Sequence, residues 1–172
     1  MAISTYSTNF RGGIAMKFKR KWRVRVTESI MTGKKIWEVY SPFVKPIESL
    51  RFPYDDTKAQ ITVRFDGDIE LVAIKFSDSC NVTGTTINKH DRLVTAAIRW
   101  DNKIEEFSLV QTRLSPYLVF LSASKVIDRL CTSQLMIIEL DWYFDGPVHF
   151  KFDLTGVADL IWRAKKEALS QR

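Results

Sequence analysis

From Trp22 the chain alternates, with Trp22, Val24 and Val26 apolar and Lys21, Arg23 and Arg25 between them. A period of two is the signature of a half-buried strand, here with a cationic outer face and the three apolar residues turned inward. Residues 36–40 repeat the pattern briefly. Pro42, Pro46 and Pro53 then punctuate an irregular stretch that ends near Asp56.

The middle of the chain reads as successive hairpins. Residues 61–65 and 69–76 flank Asp66-Gly67, and residues 93–100 and 104–110 flank Asp101-Asn102. Both dipeptides tolerate the positive φ that tight hairpin turns demand. A third pair, residues 135–144 and 148–152, is joined at Asp145-Gly146, read as a turn of the same kind. Such turns predict antiparallel pairing, because parallel neighbours need crossovers of a dozen residues or more. Residues 81–91 read as a polar loop.

Two amphipathic helices are expected. Ser122 can cap one in which Ala123, Val126, Ile127 and Leu130 share a face. The other follows Thr155, with Val157, Leu160, Ile161, Ala164 and Ala168 on one stripe. Its later turns hold Arg163, Lys165 and Lys166, which suit the negative end of the helix dipole. The expectation is a mainly β protein: an antiparallel β-sandwich-like domain with two short helices, the second C-terminal. Its extent would be residues 17–172, preceded by a polar N-terminal arm of residues 1–16. A chain of 172 residues is long enough for one such core and short for two.

Several of these positions, taken in order, form a pattern. Trp22 opens a strand, Arg64 ends one, and Arg99 with Asp101 stands at a hairpin. A segment of residues 120–130 follows, and Phe152-Asp153-Leu154-Thr155-Gly156 precedes the last helix. The order resembles the type VI secretion-associated accessory family often called VasI, over residues 22–169. Members of that family carry a signal peptide, and a Cys directly after the strand-ending Arg with a partner near the C-terminus. This chain has Phe65 after Arg64 and no Cys in its final helix. The resemblance therefore implies a cytosolic relative that has shed the envelope disulfide, and a phage-encoded origin suits a small β domain of this kind.

Charge changes the picture at one place. Seven of the 26 basic residues precede Glu28, where no acidic residue stands, so the rest of the chain carries 19 basic against 20 acidic groups. The basic excess is thus local to the N-terminus. Lys17, Lys19, Arg20, Lys21, Arg23 and Arg25 form a candidate polyanion-binding set. If six cations met phosphates, affinity would fall roughly 10³-fold between 50 and 200 mM salt. The competing reading is an edge strand loaded with cations against aggregation. Trp142 and Tyr143 adjoin in a strand and must face opposite sides, so one of the two is a candidate protein contact.

The remaining chemistry is sparse. Cys80 and Cys131 read as lone buried thiols, and no stretch approaches about 18 apolar residues, the length that spans a membrane. The N-terminus lacks the apolar region of a secretory signal, which predicts a cytoplasmic location. Arg11-Gly12-Gly13 can be encoded by a purine-rich tract shortly before Met16, which predicts translation from Met16. His90 and His149 lack metal-ligand spacing and read as surface or structural residues. Asp66 and Asp68 bracket a turn glycine, and Asp55-Asp56 and Glu105-Glu106 lack calcium-loop spacing. With no nucleophile, phosphate-loop or dinucleotide motif, the expectation is a non-enzymatic module without cofactors. Its partner would be a protein, with nucleic acid as the alternative, no membrane, and self-association through a sheet edge left open.

Overall fold

The computed structural model describes residues 21–78, 80–112 and 115–171. The elements in chain order are β1 (Arg23–Glu28), β2 (Lys35–Tyr40), β3 (Ala59–Asp66), β4 (Ile69–Phe76), β5 (Thr85–Thr86), β6 (Asp91–Trp100), β7 (Lys103–Thr112), β8 (Tyr117–Phe120), α1 (Ala123–Thr132), β9 (Leu135–Trp142), β10 (Gly146–Asp153) and α2 (Val157–Leu169). Every strand pair is antiparallel. The mainly β architecture with two helices, the second C-terminal, is the one the hydrophobic pattern predicts.

The strands form one 10-stranded sheet in the order β1-β2-β3-β4-β8-β7-β6-β9-β10, with β5 attached to β6. The sheet curls over its own core. Residues 44–47 close the curl, bridging to β3 through Val44 and Ala59 and to β10 through Pro46 and Phe150. Inside, Phe76, Trp142 and Phe150 meet edge to face or tilted, with ring centroids 5.6–6.4 Å apart. Full burial of side chains of this size contributes about 1.5–3 kcal/mol each, which makes the interior the main source of stability.

Both helices use the faces their spacing predicts. In α1, Val126, Ile127 and Leu130 are buried, while Ala123 is only partly so. In α2, Val157, Ile161, Ala164 and Ala168 are buried and Leu160 packs partly against them. Helix α2 lies against β1, β2, β3 and α1. Ser122 occupies the N-cap of α1, but its hydroxyl makes no capping bond. Lys165 of α2 reaches Glu70 of β4 at 2.6 Å.

Three local expectations need correction. First, β1 is exposed along its whole length, with Val24 at 38% and Val26 at 51%. Only Trp22 turns inward, because β1 is the terminal strand and α2, which packs mainly on β2 and β3, covers little of it. Second, β9 stops at Trp142, and the connection to β10 is the loop Tyr143, Phe144 and Asp145. The Tyr143 N–H leaves the ladder to donate to the Asn81 carbonyl at 2.8 Å, and Phe144 takes φ 71°. Third, the loop of residues 81–91 contains the short strand β5, and a further strand, β8, alternates in burial over only four residues, too few to stand out in the sequence.

The motif residues that carried the family resemblance have structural roles here. Asp101 accepts the backbone N–H of Gln134 and Leu135, at 3.1 and 2.9 Å, pinning one hairpin to the start of β9. Asp153 Oδ1 accepts the Thr155 N–H and hydroxyl at 2.9 and 2.6 Å. Gly156 then supplies φ 79° at the start of α2, a conformation that a Cβ disfavours. Cys80 and Cys131 are both free; Cys80 is buried, as expected, whereas Cys131 is only half-buried.

Candidate interaction face and cationic cavity

Of the proposed polyanion-binding set, Lys17, Lys19 and Arg20 lie outside the described residues, as does the arm of residues 1–16. Lys21, Arg23 and Arg25 are exposed. Arg25 sits opposite Glu38 in the β1–β2 register, forms an ion pair with it, and lies 5.9 Å from the centre of the Tyr40 ring. The Glu38 carboxylate raises the Arg25 pKa further, so Arg25 is already matched by an anion.

The aromatic candidates separate cleanly. Trp142 is only 1% exposed, packed against Tyr54, Phe76 and Phe150, so it is a core residue and offers no contact surface to a partner. Alternation sends it into the core as the last residue of β9. Tyr143 is 50% exposed and stands beside Phe144, which is 81% exposed, with ring centroids 4.4 Å apart. Across from them, Arg51 pairs with Asp145 at 3.4 Å. That bridge brings the neighbouring Phe52, 89% exposed, to the same end of the sheet.

Phe144 and Phe52 escaped the sequence reading. The apolar run through Phe144 imitates a continuing strand, although Phe144 is too close to Gly146 for both to lie in a ladder closed by so short a turn. Phe52 sits in the proline-punctuated stretch, where periodicity carries no information.

Next to this face opens a cavity of about 600 Å³, lined by Tyr54, Cys80, Lys89, His90, Arg92 and Gln111 among others. Arg92 is held in place by donating from Nη1 to the Val82 carbonyl at 3.0 Å. Gly84 lies directly on its stem, where a Cβ would stand 2.8 Å from Arg92 Cγ and 2.5 Å from the Leu93 carbonyl oxygen. Asp91 spends both carboxylate oxygens inside the loop, accepting from Thr112 at 3.0 Å and Asn88 at 2.9 Å. The Asn88 and Thr112 bonds lower its pKa. Burial pushes the Cys80 thiol up to about 12, so it is no nucleophile at neutral pH.

A second site forms on the outer face of the sheet. His149 is clamped by Glu48 on Nδ1 at 2.7 Å and Glu139 on Nε2 at 2.9 Å, and its backbone N–H donates to Glu48 at 2.8 Å. Burial opposes charge on the imidazole, but the two carboxylates outweigh it and raise the pKa. A groove of about 330 Å³ beside it is lined by Ile47, Ala97, Arg99, Ile104 and Ile137. Both imidazole nitrogens are occupied, so His149 as placed has no free nitrogen with which to act on a substrate.

The paired carboxylates come apart. Glu105 is only 11% exposed and meets Lys103 at 2.8 Å, Lys125 at 3.2 Å and Arg129, while Glu106 projects from the opposite face of β7. Asp66 pairs with Arg64 at 3.5 Å and Asp56 with Lys45 at 3.8 Å. Among the described residues no group of three or more His, Cys, Asp or Glu side chains is placed to hold a metal ion, and no helix is long and apolar enough to cross a membrane. No protein-family model, curated protein or solved structure matches this chain.

Proposed function

We propose that this chain is a non-enzymatic protein-interaction module of bacterial or phage origin, a secretion-accessory-like protein working in the cytosol. Tyr143, Phe144 and Phe52 would form its contact surface. The observation that carries the reading is Phe144, a large aromatic side chain 81% exposed on a backbone with φ 71°. A bulky residue in the left-handed region costs on the order of 1–3 kcal/mol, and such strain concentrates at functional sites. Aromatic side chains are enriched among the anchors of protein interfaces. The free thiols at Cys80 and Cys131 fit a reducing compartment.

The test compares capture by the wild-type chain with capture by a Phe52→Ser, Tyr143→Ser, Phe144→Ser variant, from bacterial lysate at 200 mM salt after nuclease treatment. A stoichiometric protein held by the wild type and lost by the variant, with melting temperature unchanged, supports the reading. Equal capture by both chains overturns it. An association that vanishes with nuclease and depends on Lys21 and Arg23 transfers the function to nucleic-acid binding.

A further inference from the structure

The cavity beside the aromatic face has chemistry of its own. Its volume of about 600 Å³ falls within the range that encloses a small organic ligand. Two cations, Lys89 and Arg92, line it with the His90 ring between them in sequence, on the loop and at the start of β6. The single carboxylate among them, Asp91, has each oxygen engaged by a loop neighbour, so its charge is directed into the loop. Arg92 uses one N–H on the Val82 carbonyl, leaving most of the donors of a guanidinium fork. The Lys89 ammonium, the His90 ring and the Tyr54 hydroxyl form no hydrogen bond among the described residues. Gly84, in the segment between Val82 and β5, completes the arrangement, since only a residue without Cβ lets this segment lie over the Arg92 stem.

We propose that this cavity binds the oxyanion group of a small ligand, a phosphoryl or a carboxylate, with Arg92 and Lys89 as anchors and Tyr54 as a flat wall. A rigid guanidinium beside a mobile ammonium is suited to such groups, because the first fixes geometry and the second follows charge. Tyr54 is itself fixed by edge contact with Trp142 at 5.8 Å, so the wall is preorganised.

The experiment is an NMR titration of the ¹⁵N-labelled full chain with inorganic phosphate, with acetate, and with sodium chloride at matched ionic strength. The expected result is saturable shifts at the amides of residues 81–92 with phosphate or acetate and not with chloride. Tighter saturation by phosphate assigns a phosphoryl ligand, and tighter saturation by acetate a carboxylate. Lys89→Ala, on an exposed loop, and Arg92→Lys, which keeps the charge but loses the fork, are each expected to weaken binding about tenfold while the remaining spectrum is preserved. Shifts reproduced by chloride, or unchanged in both variants, overturn the proposal.

Discussion

The indole Nε1 of Trp22 donates to the backbone carbonyl of Asp153 at 2.8 Å, joining the residue before β1 to the last residue of β10. Trp22 is otherwise buried, while the strand that follows it is exposed throughout. One anchored residue therefore holds the N-terminal end of β1, and pairing with β2 holds the rest. Trp22→Phe keeps most of the apolar contact and loses the hydrogen bond. It is expected to cost about 1 kcal/mol or more, since the Asp153 carbonyl loses a donor. Amide hydrogen exchange in β1 should accelerate more than exchange in β6. Unchanged urea midpoint and unchanged exchange would show that β1 does not depend on this bond.

The Glu48–His149–Glu139 clamp sits where residues 44–47 close the sheet, which gives stability a pH dependence of defined sign. His149 has a folded pKa above its ordinary 6.5, so its contribution is full below that value and is lost as pH rises through the folded pKa. For Glu48, burial works against the charge, but the backbone and side-chain bonds from His149 prevail and lower its pKa below 4.5. Its contribution is present above 4.5 and lost as pH falls through the folded value. The clamp is therefore strongest between about pH 4.5 and 6.5. In His149→Gln, the difference in melting temperature from wild type should be largest in that window and shrink towards pH 9. A difference independent of pH would remove the titration from the account.

Glu105 ties β7 to α1 through Lys125 and Arg129. The Lys103 ammonium, then the Arg129 and Lys125 cations, outweigh its desolvation and hold its pKa at about 2, against an ordinary 4.5. A depressed carboxylate stabilises above its unfolded pKa and loses that effect as pH falls through the folded one. Glu105→Gln should therefore lower the urea midpoint at pH 7, with the gap to wild type closing between pH 4.5 and about 2. It should also loosen α1, whose exchange protection provides the second readout. Equal midpoints at pH 7 would show the cluster to be a solvated surface pairing.

What could be read in the sequence were features carried by neighbours. The turn at Asp101-Asn102 and the apolar stripes of α1 and α2 are local patterns that fold where expected. The first hairpin turns one residue later than read, at Gly67-Asp68, with Asp66 paired to Ile69. Val24 and Val26 obey the alternation rule yet remain exposed, because inwardness needs a covering layer. Strand β1 lies at the end of the sheet where α2 covers little of it, whereas the other end strand, β10, buries Val148, Phe150 and Phe152. The His149 clamp was hidden for a different reason. Glu48 lies 101 residues from His149, so only closure of the sheet brings them together. The cationic cavity lay in plain view as Lys89, His90 and Arg92, but concavity is a property of the fold. The same holds for Arg51 and Asp145, whose pairing brings the segment of Phe52 to the β9–β10 turn.

Phe144 separates stability from binding in a way few positions allow. Its φ of 71° favours Gly or Asn over an aromatic residue, and its side chain touches Tyr143 but is otherwise largely in solvent. Phe144→Asn should relieve backbone strain, and so leave the melting temperature unchanged or raise it by the equivalent of about 1 kcal/mol. The same substitution removes the most exposed ring of the β9–β10 turn, and should abolish capture of the protein partner. A substitution that stabilises the fold while removing its binding activity has no packing explanation, because lost packing destabilises. A clear fall in melting temperature would instead mean that the ring is held by contacts within the chain, and would make the positive φ a consequence of packing and not of function.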